Sequence, residues 1–200
     1  MLKKNKIIAV LTIEDSKKSL DLAKCLYDSG IINLDIRLRT SDSKKAIESI
    51  LKSNLNFNIG VGTVLNENDL IFLKNNNIKY SFSPHTDRNI LRQSKKYNID
   101  FIPGVSTSID IEIALNNGCK YLKYFHAEKL GGVTHLDSIS NKIKDLKIIA
   151  MGGINNLNIN SYLNHKNIIG IGASWIATED LIRDSNWNEI SKRAKLFLNL

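Results

Sequence analysis

Asn33-Leu34-Asp35-Ile36-Arg37-Leu38-Arg39-Thr40 alternates with a period of two, and its two faces have opposite character. Leu34, Ile36 and Leu38 fall on one side of a strand here, and Asp35, Arg37 and Arg39 on the other. In a chain where strands alternate with helices, the apolar side packs beneath the helices. The charged side then looks inward. Three charges in an interior need partners or a task, because a buried ion without either is costly. One plain explanation is an Asp35–Arg37 pair tying the interior together. The other is a polar site.

Working outward, short β-branched runs recur at Lys6–Leu11, Asn33–Leu38, Phe57–Val61, Lys79–Ser83, Asp100–Ile102, Lys120–Phe125, Leu146–Ala150 and Ile168–Ile171. Between them lie stretches of helical spacing. In Ser16–Asp28 the expected stripe is Leu20, Ala23, Lys24 and Tyr27. Ser16, Ser41, Asn66 and Ser108 are the expected N-caps. Eight strands, each followed by a helix, predict an α/β fold, a (β/α)8 TIM barrel. An open doubly wound sheet is disfavoured because no GxGxxG follows the first strand. With no linker or low-complexity tract, residues 1–200 read as a single domain, and Trp187–Leu200 reads as a closing helix.

Barrel chemistry sits at the carboxyl ends of the strands, and unusual residues fall there. Lys123 is a lone cation within Tyr121-Leu122-Lys123-Tyr124-Phe125. Burial would lower its pKa, and a neutral amine on a rigid strand suits Schiff-base attack on a ketone. The bland alternative is a lysine whose stem packs while its head reaches water. Gly60-Val61-Gly62-Thr63 offers close backbone approach and a hydroxyl. The only two prolines, Pro84 and Pro103, end strands four and five, where rigid turns would explain them. Gly-rich turns at Met151-Gly152-Gly153 and Gly170-Ile171-Gly172-Ala173-Ser174 follow the last two strands, the usual barrel position for a phosphate.

Bulk properties narrow the function further. The +8 net charge is scattered, without a basic run interleaved with aromatics, so nucleic acid is not the expected partner. No apolar run approaches a membrane span, and Met1–Lys6 precedes Ile7 without a signal-like apolar region, so the expected location is the cytoplasm. Cys25 and Cys119 lack metal or disulfide spacing and read as structural.

From Ile7 to Trp175 the ordered motifs resemble the bacterial 2-keto-3-deoxy-6-phosphogluconate and 4-hydroxy-2-oxoglutarate aldolases. They are Leu38-Arg39-Thr40, Gly60–Leu65, Ser83-Pro84, Ile102–Thr107, Leu122–Phe125, Ala127-Glu128 with Gly131-Gly132, Gly152-Gly153-Ile154 and Gly172–Trp175. The resemblance implies a class I aldolase that cleaves a 2-keto-3-deoxy-6-phospho sugar acid into pyruvate and glyceraldehyde 3-phosphate. Lys123 would form the Schiff base and Asp35 would move protons. Arg39 and Thr63 would hold the pyruvyl carboxylate, with Pro84 and Phe125 lining the pocket. Gly152, Gly153, Gly172 and Ser174 would bind phosphate. No metal or organic cofactor is implied, and a homotrimer is.

The departures are specific. Asp35 replaces a glutamate, Arg37 a small polar residue, Ala150-Met151 a Pro-Thr, His126 a proline and His85 a glycine; the segment before Ile7 is short. Arg37 and Arg39 are expected to keep Asp35 ionised. His126, out of phase with Lys123, is expected to face the helices or a loop. A 4-hydroxy-2-oxoglutarate or other pyruvate aldolase with a different acceptor is the second reading. A degenerate barrel that only binds a phosphorylated ligand is the third.

Overall fold

The computed structural model describes Leu2, residues 5–141, Ile143 and residues 145–200; of the stretch Met1–Lys6, Met1, Lys3 and Lys4 lie outside the described residues. The strands are β1 (Ile7–Leu11), β2 (Asn33–Arg37), β3 (Asn58–Gly62), β4 (Tyr80–Phe82), β5 (Asp100–Ile102), β6 (Gly104–Val105), β7 (Leu122–Tyr124), β8 (Ile148–Met151) and β9 (Ile168–Ala173). Each pairs in parallel with its neighbours, in the order β5-β4-β3-β2-β1-β9-β8-β7-β6.

The ninth segment corrects the expected count of eight, and the cause is local. β5 and β6 are separated only by Pro103, which has no N–H to give a ladder. Residues 100–105 therefore bond to β4 through their first half and to β7 through their second. That single passage of chain closes the barrel. Lys123 N–H donates to the Pro103 carbonyl at 2.9 Å across the seam.

Helices α1 (Ser19–Asp28), α2 (Ser43–Lys52), α3 (Glu67–Asn75), α4 (Arg88–Lys96), α5 (Ser108–Asn116), α6 (Gly132–Ser140), α7 (Ile159–Leu163), α8 (Glu179–Arg183) and α9 (Trp187–Leu198) wrap the strands. Asn66 caps α3 as expected, accepting from Asp69 N–H. The other three caps shift. Asp15 caps the 3-10 turn Ser16–Lys18, and Thr107 caps α5 in a reciprocal box with Asp110. Ser41 does not cap α2, which begins after Asp42. The Asp42 carboxylate is turned instead to the Ser16 N–H at 2.9 Å, tying two loops together.

Two apolar shells result. Ile8, Val10, Tyr80, Phe82, Ile102, Ile149 and Met151 fill the barrel. Leu34, Ile36, Leu122, Tyr124 and Ile148 belong to the larger shell between strands and helices. In α1 the buried face is Ser19, Leu22, Ala23 and Leu26; of the expected stripe only Ala23 belongs to it, and Leu20 is 47% exposed. α9 packs back onto the segment after β9, with Trp175 stacked on Phe197 at 5.1 Å and the Arg193 guanidinium 4.8 Å over the indole. Both cysteines are free, and burial pushes the Cys119 thiol up to about 11, in keeping with a structural role.

Candidate active site

β7 contributes one residue to the interior. Leu122 and Tyr124 turn outward into the helix-facing shell, so Lys123 between them must point inward. It is only 5% exposed. Its Nζ lies 4.3 Å from the Phe125 ring centroid and 5.8 Å from that of Phe82. Burial pulls the amine from 10.5 down to about 8, with Arg37 and Arg39 adding to the effect and the Asp35 carboxylate opposing it. The neutral, nucleophilic form is therefore far more accessible near neutral pH than for a lysine in water.

β2 presents its charged face to the same interior. Asp35 is fully buried, and among the described residues neither carboxylate oxygen has a hydrogen-bond partner. Desolvation raises its pKa above the ordinary value even though Lys123, Arg37 and Arg39 all pull it down. The arginines pull in the expected direction, towards the ionised form, and burial opposes them with the larger effect. Nor does Asp35 pair with Arg37. The Arg37 Nη2 reaches Glu179 at the start of α8, 3.6 Å away, while its Nε is buried and without a partner among the described residues. Arg39, exposed at the rim, donates from Nε to Thr63 Oγ1 at 3.2 Å.

The glycines of β3 serve the interior rather than a ligand. A Cβ on Gly60 would stand 2.2 Å from the Tyr80 ring, and one on Gly62 would stand 2.3 Å from Asp35 Oδ1. They make the room that Tyr80 and Asp35 occupy.

A small cavity of about 40 Å³ opens at the carboxyl ends of the strands, lined by Val10, Arg37, Arg39, Lys123, Phe125, Met151, Gly152, Gly172 and Ser174. Lys123, Arg39, Phe125, Gly152, Gly172 and Ser174 are thus brought together as expected. Asp35, level with Val10 in the pairing of β1 and β2, is not part of this lining, and Thr63 joins it through Arg39. Gly153, beside Gly152, and Pro84, whose carbonyl abuts Gly104, stand outside the lining. Val10 was missed; its inward position follows from the alternation of β1, which is apolar on both faces and so carries no signal of its own.

The turn after β8 is held from below. Gly152 and Gly153 adopt φ of 102° and 82°, a region that favours glycine. Glu128 N–H donates to the Gly152 carbonyl at 3.0 Å, and Tyr162 donates its hydroxyl to the Glu128 carboxylate. His126 is exposed in the loop after β7, as expected, but its ring also lies tilted against that of Phe125, with centroids 3.5 Å apart. Desolvation, Lys129, Lys123 and Arg39 lower its pKa, so it is mostly neutral at pH 7. Among the described residues no three His, Cys, Asp or Glu side chains converge to hold a metal ion.

A buried amine of lowered pKa, flanked by a guanidinium–hydroxyl clamp and two Gly-rich turns, can do carbonyl chemistry on an anion. The comparisons with known proteins agree. The chain is 30% identical over 199 residues to the 2-dehydro-3-deoxy-phosphogluconate aldolase of Haemophilus influenzae, covering 100% of this chain and 94% of that protein. It is 29% identical to the KHG/KDPG aldolase of Escherichia coli K12, covering 94% of this chain and 89% of that one. The KDPG aldolase of Legionella pneumophila, solved with pyruvate captured as a covalent carbinolamine, superposes with a TM-score of 0.91 at 31% identity over 96% of this chain and 93% of that one. The Zymomonas mobilis ZM4 2-keto-3-deoxy-6-phosphogluconate aldolase, solved with 3-phosphoglycerate, gives 0.87 at 26% identity, covering 96% and 90%. The family model for KDPG and KHG aldolases matches residues 1–193, and the chain belongs to that family.

Proposed function

We propose that this protein is a class I aldolase that reversibly cleaves 2-dehydro-3-deoxy-6-phosphogluconate into pyruvate and glyceraldehyde 3-phosphate. The observation that carries the reading is Lys123, an amine buried at the mouth of the barrel with its pKa brought to about 8. Its Nζ attacks the C2 carbonyl of the keto acid. The carbinolamine loses its hydroxyl as water and leaves a protonated imine. Breaking the C3–C4 bond sends its electron pair into that imine, forming the enamine, while the C4 hydroxyl gives up its proton and becomes the aldehyde. Protonation at C3 and hydrolysis then release pyruvate and regenerate the amine.

Asp35, of raised pKa and close enough to influence Lys123, carries the protons directly or through one water. Arg39 and Thr63 hold the carboxylate of the pyruvyl half. Phe125 and Pro84 border it. Gly152, Gly153, Gly172 and Ser174 receive the phosphate. The whole chain acts as one barrel domain. The family resemblance supports assembly as a homotrimer and action in the cytoplasm; no helix among the described residues is long and apolar enough to cross a membrane.

Borohydride trapping with pyruvate, followed by mass spectrometry, tests the reading. A reduced pyruvyl adduct on Lys123, absent from Lys123→Met, is expected. Trapping that persists in Lys123→Met would remove the lysine from the mechanism, and no adduct in the native chain would leave a barrel that only binds its ligand.

A further inference from the structure

The two arginines of β2 diverge. Arg39 turns toward β3, where its Nε meets Thr63. Arg37, two residues earlier on the same face, reaches the other way. Its partner Glu179 opens α8 and stands beside Glu14, Asp15 and Lys18, which follow β1. Arg37 lines one cavity with Lys123, Gly172 and Ser174.

Arg37 is also under-satisfied. Its side chain is 16% exposed, its Nε is buried without a partner among the described residues, and its ion pair is a long contact to a carboxylate 50% exposed. Such a pair is weak and exchangeable. Thr12, which follows β1 and stands level with Arg37 by the register Leu11↔Ile36, holds a buried hydroxyl with no partner among the described residues. A guanidinium with an unpartnered Nε, lining a cavity and held by a weak partner, is suited to grip an oxyanion through charge-assisted bonds.

We infer that Arg37 is a specificity-determining residue that binds the phosphate of the aldehyde half, exchanging Glu179 for the dianion. The inference rests on the aldolase reading for the identity of the reaction, not for the existence of the anion site. Arg39 then serves the keto-acid end and Arg37 the far end, which fixes the direction in which the substrate lies across Lys123.

Two measurements on the full chain test it. In calorimetry with inorganic phosphate, Arg37→Ala should weaken binding about tenfold or more, and Arg37→Lys should recover part of the loss. In the synthesis direction, Arg37→Ala should lower the ratio of kcat/KM for glyceraldehyde 3-phosphate to that for glyceraldehyde by a similar factor. Unchanged phosphate affinity with a lowered melting temperature would make Arg37 a tie to α8 and overturn the proposal. So would an equal loss with both aldehydes, which would place its effect on Lys123 or Asp35. Arg37-dependent phosphate binding in a native chain that fails to trap pyruvate would uphold the anion site while removing the aldolase reading.

Discussion

Moving Lys123 from water into the barrel lowers its pKa from 10.5 to about 8, which corresponds to about 3 kcal/mol against the charged form. The folded-state value lies below the unfolded one, so this destabilisation is fully present below about pH 8. It fades as pH rises toward 10.5, where the amine is neutral in both states. Lys123→Met should therefore melt higher than the native chain at pH 7, with the gap narrowing steadily between pH 8 and 10.5. A pH-independent gap in calorimetric melts would mean that packing, not charge, sets the difference. The same amine ties Asp35 to catalysis. Asp35→Asn should lower kcat about 10²-fold or more, and Asp35→Glu should keep or raise it. Because the Asp35 carboxylate is what holds the Lys123 pKa up, Asp35→Asn should also move the lysine inflection in the rate of imine formation with pyruvate below pH 8. Normal turnover with an early melt would make Asp35 structural and place the proton carrier elsewhere.

β3 shows how one element divides its work between stability and chemistry. A methyl at Gly60 meets the Tyr80 ring, part of the packed interior, whereas a methyl at Gly62 meets the Asp35 carboxylate. Gly60→Ala should cost about 1–3 kcal/mol by overpacking, with kcat for the surviving fold little changed. Gly62→Ala should instead depress kcat by displacing the carboxylate, with a smaller drop in melting temperature. Equal ratios of activity loss to stability loss in the two variants would refute the division. Such pairings were not legible from the strand itself: Gly60-Val61-Gly62 reads as backbone freedom, and only the neighbouring strands reveal what fills the space. The alternation in β2 was legible, because apolar and charged residues at period two leave one inward face. In α1 the spacing was legible but the face was not. Leu20 and Leu22 are equally apolar, and the outcome depends on where the 3-10 turn Ser16–Lys18 delivers the helix. The displaced caps have a similar cause, since Asp15 and Thr107 already have the extended backbone of a cap one residue before the expected serines.

Across the whole molecule, the order of strand-end motifs around the barrel put the site within reach of sequence reading, because closure brings the ends of β2, β7, β8 and β9 to one mouth. The reach of Arg37 to Glu179 depends on a contact between segments far apart in the chain, which no local pattern encodes. The net charge of +8 acts at this scale too. Its lysines are dispersed, yet Arg37, Arg39 and Lys123 concentrate positive charge at the mouth, where low-dielectric walls focus the field. The proposed substrate carries a carboxylate and a phosphate, so encounter and binding should both weaken as salt shortens the Debye length from ~30 Å at 0.01 M to ~8 Å at 0.15 M. Adding sodium chloride over that range should lower kcat/KM for the phosphorylated keto acid by about tenfold, while kcat stays nearly constant because bound charges are shielded from the ions. The slope of log kcat/KM should be shallower for addition of the pyruvate enamine to uncharged glyceraldehyde. It should also flatten in Arg37→Ala, by more than the loss of one dispersed surface lysine would cause. A salt-independent kcat/KM would mean that the mouth neither gathers nor grips its substrate by charge, and that the positive charge of this chain serves only its surface.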